Sequence, residues 1–195
     1  MTMAENGAYA AVAATIRGRR SNMNVDHAAP IDDAAIDELI ELARWAPNHF
    51  RTNPFRFSVI RGAARGRLGQ IAADALAAAG GQPPVVERQR VQFERTPVVL
   101  AVAAAPDADP VKHLENRYTV AAGVQNILLA ATAGGLASAW RSGPAMVDPA
   151  VAGPVKAALG LAPDDEIVAY VYLGQQAGPP GNRELPPAVV NRINS

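Results

Sequence analysis

Trp45-Ala46-Pro47-Asn48-His49-Phe50-Arg51-Thr52-Asn53-Pro54-Phe55-Arg56-Phe57 joins two stretches of different hydrophobic period. Ahead of it, Ile36, Leu39, Ile40, Leu42 and Ala43 recur at helical spacing. Pro30, Asp32 and Asp33 open that helix with an aspartate N-cap, and Pro47 stops it. Behind it, Phe55 to Ile60 alternates and is rich in aromatic and β-branched residues, which predicts a strand. The loop between them carries Asn48 and His49. Polar donors on a loop held by two anchored elements suit the binding of a planar ligand. The same residues also fit an ordinary helix–loop–strand connection with His49 solvated.

Outward from this stretch, helices alternate with few strands. A short helix over about residues 8–19 ends in Arg17-Gly18-Arg19-Arg20-Ser21. Gly62, Gly66 and Gly69 open another directly after the first strand. Their spacing is G-x-x-x-G-x-x-G with arginines in the turn, which is not a dinucleotide fingerprint. A polar helix from about Val85 to Arg95 reads as a mobile cover. The apolar run from Pro97 to Ala103 predicts a strand covered on both faces, and Glu166 to Leu173 a second one. Between them, no charged residue occurs from Tyr118 to Trp140. Gln125, Asn126 and Gly134-Gly135 interrupt that run, so it reads as a helix buried on most sides rather than a membrane span. Asp148-Pro149 starts a further helix, as a cap followed by proline at the first helical position. The sum is an α/β sandwich with a long central helix. One domain over residues 1–195 is expected, with extended termini at 1–7 and 176–195.

With 49% hydrophobic and 18% charged residues, the chain has the composition of a well-packed globular protein. A formal net charge of +0 argues against nucleic acid or an anionic membrane as the main partner. The absence of cysteine removes disulfides and thiolate chemistry, and fits a reducing cytoplasm. Residues 1–14 lack a basic segment ahead of their apolar part, unlike a secretory signal. His27, His49 and His113 show no metal-ligand spacing, and neither Ser21 nor Ser142 sits in G-x-S-x-G.

Two clusters remain. Arg19-Arg20-Ser21 is either a solvated helix end, where cations complement the macrodipole, or a phosphate clamp of paired charged donors. Trp140-Arg141-Ser142-Gly143 sets an apolar ring beside a cation and a flexible backbone. Trp140 alone would also suit a core.

Taken in order, Arg19-Arg20-Ser21, Ala46-Pro47-Asn48-His49, Trp140-Arg141-Ser142-Gly143 and Tyr172-Leu173-Gly174 resemble the nitroreductase family. The spacing is most similar to its short, single-domain NAD(P)H nitroreductase type. The likeness spans about Ala14 to Leu185. It implies a homodimeric α+β fold, an α/β/α sandwich with a central mixed sheet and a long buried dimer-interface helix. Two FMN sites would lie between the subunits. By the resemblance, Arg19, Arg20 and Ser21 hold the FMN phosphate and ribityl, while Trp45 and His49 reach the cofactor from the partner. Trp140, Arg141 and Ser142 line the isoalloxazine, with the backbone of Ser142 or Gly143 near its N5. NADH or NADPH would be the donor, and a nitroaromatic or quinone the acceptor. Other flavin reactions of the superfamily, such as dehalogenation or flavin fragmentation, and an FMN store or sensor without turnover stay open. Met23 stands where many relatives carry a basic residue, and Arg183 in the tail is a candidate to compensate.

Overall fold

The computed structural model describes residues 6–193 of the chain, so five residues of the expected extended N-terminus and two of the C-terminal tail lie outside it. Asn6 caps the first helix, α1 (Gly7–Gly18), by accepting from the N–H groups of Ala8 and Tyr9. The chain then runs through β1 (Val25–Asp26), α2 (Asp33–Arg44), β2 (Phe55–Arg61), α3 (Ala63–Ala78), α4 (Pro83–Arg90), β3 (Val98–Ala104), α5 (Pro110–Ala133), β4 (Leu136–Arg141), α6 (Pro144–Val147), α7 (Pro149–Ala158) and β5 (Glu166–Gln176). Residues 177–193 form an exposed tail without regular structure.

Every pairing in the five-stranded sheet is antiparallel, which corrects the expected mixed sheet. The reason lies in the connections. Two helices, α3 and α4, separate β2 from β3, so the chain returns antiparallel rather than making a one-helix parallel crossover. The single long helix α5 does give β3 and β4 a common direction, but β5 inserts between them. Tyr170 to Leu173 pair with β3 on one edge and with β4 on the other.

All seven residues of β3 are buried, as its unbroken apolar run predicts. Val98, Leu100, Val102 and Ala104 face the layer of α2 and α5, where Ile36, Leu39, Val120, Val124 and Ile127 complete one core. Val99, Ala101 and Ala103 face the other layer, with Leu68, Ala72, Phe93, Val151 and Val155. Two cores back to back on one sheet make the α/β/α sandwich.

Two expectations change in detail. The segment after Pro83 is not a mobile cover. Val86, Gln89, Phe93 and Thr96 are buried, and Phe93 meets the Tyr170 ring edge-on at 5.1 Å. Its exposed charges mask this in the sequence. The long helix α5 buries one face through Asn116, Thr119, Val120, Gly123, Val124, Ile127, Leu128 and Ala131, but leaves Val111, Leu114 and Tyr118 exposed.

The glycines before and within α3 serve packing. Gly62 takes a positive φ (52°) that opens the helix, and a Cβ at Gly69 would lie 2.0 Å from the Arg90 carbonyl oxygen. Gly69 therefore lets α4 sit directly on α3.

Candidate functional site

The C-terminal end of α1 builds a basic concavity of about 490 Å³. Arg17, Arg19 and Arg20 line it with Gln125 of α5 and Arg183 of the tail. Among the described residues, no acidic one lines it. Burial, and after it the nearby guanidinium groups of Arg183 and Arg20, push the Arg19 guanidinium below its ordinary pKa. Arg20 is partly engaged already. Its Nη1 donates to the carbonyl oxygens of Arg17 (2.6 Å) and Arg19 (2.9 Å), closing the end of its own helix, while its buried Nε has no partner among the described residues. Among the described residues, Arg19 and Arg183 keep their donors free of such bonds. Ser21 is exposed beside them.

Asn22, which no sequence motif singles out, fixes this corner. It is buried, its N–H donates to the Ser138 carbonyl (2.9 Å), its amide donates to the Gly178 carbonyl (3.2 Å), and its Oδ1 accepts from the Asn24 N–H (2.9 Å). One residue thus ties the arginine triplet to β4 through its backbone and to the root of the tail through its side chain. Met23 packs into the core around Tyr172, so that position places no group in the basic concavity.

Trp140 and Arg141 do not share a surface, because successive side chains of a strand point to opposite faces. Trp140 looks toward α5 and borders a concavity with Leu114, Arg117, Tyr118 and Ala121. Arg141 looks toward α4, and with Ser142 and Gly143 lines a different cavity of about 450 Å³. Tyr172 lies beneath this second cavity. Burial is the main reason its hydroxyl is pushed up to about 12, against the opposing influence of Gln92, Arg141 and Arg95. Tyr172 is therefore expected to contribute stability below about pH 10 that is lost as the pH rises through about 12, at ~1.4 kcal/mol per pH unit. Urea unfolding at about pH 9 and pH 11 checks this. Tyr172→Phe should lose less stability between the two than the parent, and an equal loss would contradict it.

Trp45 and His49 stand apart from both cavities. Trp45 caps α2 and is 78% exposed. The His49 ring stacks on Phe50 at 3.9 Å, and its Nδ1 lies 2.6 Å from the Glu115 Oε2. Phe50, Arg51 and Asn53 all take positive φ (63°, 53° and 48°). Three such residues store backbone strain of about 1–3 kcal/mol each, the kind that persists only where the surroundings enforce it. Here Asn48 enforces it. Its Oδ1 accepts from the Asn53 N–H (2.9 Å) and its amide donates to Thr52 (3.0 Å), which donates on to buried Asn116. Thr119 adds a bond to the Pro47 carbonyl (3.0 Å).

Within one chain, then, the arginine triplet meets Arg183, and Arg141, Ser142 and Gly143 stay together, while Trp140, Trp45 and His49 open elsewhere. Among the described residues no group of three or more His, Asp or Glu is placed to hold a metal, and no helix is long and apolar enough to cross a membrane.

Comparison with known proteins gives consistent matches. A family model described as the Nitroreductase family matches residues 16–175. YdjA of Escherichia coli K12, named as a candidate NAD(P)H nitroreductase, is 28% identical over 157 residues, covering 80% of this chain and 83% of YdjA. A nitroreductase-like protein from Bacillus cereus superposes with a TM-score of 0.78 at 23% identity, over 90% of this chain and 91% of that one. A Bacteroides fragilis nitroreductase solved with bound FMN gives 0.75 at 20% identity, over 94% and 98%.

Proposed function

This chain belongs to the nitroreductase family, and we propose that it is an FMN-dependent oxidoreductase that takes hydride from NADH or NADPH and delivers it to a nitroaromatic, quinone or similar electrophilic acceptor. The observation that carries the reading is the basic concavity at the end of α1: four arginines and, among the described residues, no carboxylate. Such a site fits a phosphate, and the buried, unpartnered Arg20 Nε is a donor awaiting an acceptor. Arg19 and Arg183 would hold the FMN phosphate with their free donors, and Arg20 would support them from the helix end. Ser21 would reach the ribityl. Arg141, Ser142 and Gly143 would border the ring, where a cation or oriented N–H favours the negative charge of reduced flavin.

When bound, FMN supplies the hydride chemistry of both half-reactions, in a ping-pong order. The protein's part is to hold, orient and cover.

Trp45 and His49 complete the site from a second subunit in this reading. The described surface supports a homodimer. α1 buries no residue and exposes Tyr9, Val12 and Ile16 on one stripe, α5 exposes Val111, Leu114 and Tyr118, and the tail exposes Leu185, Val189, Val190 and Ile193. Apolar surface on this scale needs a partner, and obligate interfaces typically bury over ~2,000 Å². Purified protein is expected to be yellow, to release FMN on denaturation, and to show a dimeric mass by light scattering at micromolar concentration. A colourless protein that takes up no FMN would overturn the reading, and a flavin-loaded monomer would overturn the shared site.

A further inference from the structure

The cavity beside Arg141 contains more than a flavin border requires. Arg88 of α4 and Arg95, in the short 3-10 turn that follows, line it together with Arg141. None of the three guanidinium groups makes an ion pair among the described residues, and no acidic side chain lines the cavity. The nearest acids in sequence are otherwise placed: Glu87 pairs with Arg90, and a carboxylate oxygen of Glu94 points toward Gly66 of α3. A buried amide adds to the imbalance. Gln89 is only 2% exposed and its Nε2 has no partner among the described residues, whereas the neighbouring Gln92 amide lies close to the Tyr172 hydroxyl. A buried donor without a partner on a cavity wall calls for an acceptor.

We infer that this cavity is an anion-recognition site for the molecule that exchanges electrons with the flavin, a ligand carrying a phosphate or carboxylate. Charge sets the sign: three unpaired cations and one idle donor favour an anion. Size sets the class. At about 450 Å³ the cavity is far larger than a single inorganic ion and falls within the ~300–1,000 Å³ range of small-molecule sites. Position ties it to the chemistry, because Arg141, Ser142 and Gly143 belong both to this cavity and to the proposed flavin border. The inference rests on the proposed function for the ligand's role. Two sources share the chemistry: the 2′-phosphate of NADPH, and an acidic group on the acceptor.

The test uses the flavin-loaded protein and its Arg88→Gln/Arg95→Gln double variant, with calorimetric titration of two matched pairs. The first pair is 2′,5′-ADP and 5′-AMP; the second is 4-nitrobenzoate and 4-nitrobenzyl alcohol. The parent is expected to prefer the more anionic member of at least one pair by about tenfold or more, and the variant to lose that preference, as expected for loss of hydrogen bonds to a charged group. Preference in the nucleotide pair assigns the site to the donor's 2′-phosphate; preference in the nitro pair assigns it to the acceptor. Both arginines are exposed, so the variant should keep the parent's circular dichroism. No preference in the parent, or a preference that survives in the variant, would overturn the inference. A protein that binds no FMN would overturn the proposed function instead, and the titrations would still report on the cavity.

Discussion

Replacing Arg19 by alanine is expected to weaken FMN binding about 10–150-fold and to leave riboflavin binding nearly unchanged. The range follows from losing hydrogen bonds to a charged group, roughly 1.5–3 kcal/mol. Riboflavin lacks the phosphate, so it isolates that contact from any general damage. Arg20→Ala should behave differently. Its Nη1 closes the end of α1 through the Arg17 and Arg19 carbonyls, so its loss should lower stability as well as affinity, and should affect both flavins. Arg183→Ala should resemble Arg19→Ala, because Arg183 shares the concavity and depresses the Arg19 pKa. Fluorescence titration of the apoprotein with both flavins separates these outcomes. Equal losses of FMN and riboflavin in Arg19→Ala would make Arg19 a structural residue.

Phe93→Ala is expected to destabilise the protein by about 3–5 kcal/mol, the usual range for emptying a fully buried aromatic site. Phe93 has no exposed surface, packs edge-on against Tyr170, and joins the core formed by α3, α7 and the sheet. Its neighbours Gln92 and Arg95 line the anion cavity, so that cavity should be disturbed along with the core. At ~2–4 °C for each kcal/mol in a chain of this size, the expected fall in Tm is about 6–20 °C. A fall of one or two degrees would mean that residues 83–95 ride loosely on the surface.

That contrast shows what the sequence made legible. Elements with a clean period were readable: α2 from its five apolar positions, β3 from its unbroken run, and α7 from Asp148-Pro149. Family membership was readable from four short motifs in order. Sheet direction was not, because it depends on β5 inserting between β3 and β4, a long-range pairing with no local signal. The burial of Phe93 was hidden by the charged residues around it. At the site, the arginine triplet was visible as a charge cluster, but the sequence could not show that Arg20 turns back on its own helix. Asn22 resembled any polar loop residue. The positive φ angles at Phe50 and Arg51 left no trace either, since both residue types usually avoid that region. A run rich in Asn and Thr beside a proline was the only available hint of the Asn48 network that enforces them.

The most direct test of the central claim is stopped-flow mixing of the oxidised, flavin-loaded protein with excess NADH or NADPH, followed by a second mix with a nitroaromatic or a quinone. The visible flavin absorption should bleach with at least one nicotinamide and return when the acceptor is added. His49→Ala should alter the return more than it alters flavin affinity. Flavin that stays oxidised for minutes with both nicotinamides, yet bleaches with dithionite, would contradict an oxidoreductase and leave a protein that only holds FMN.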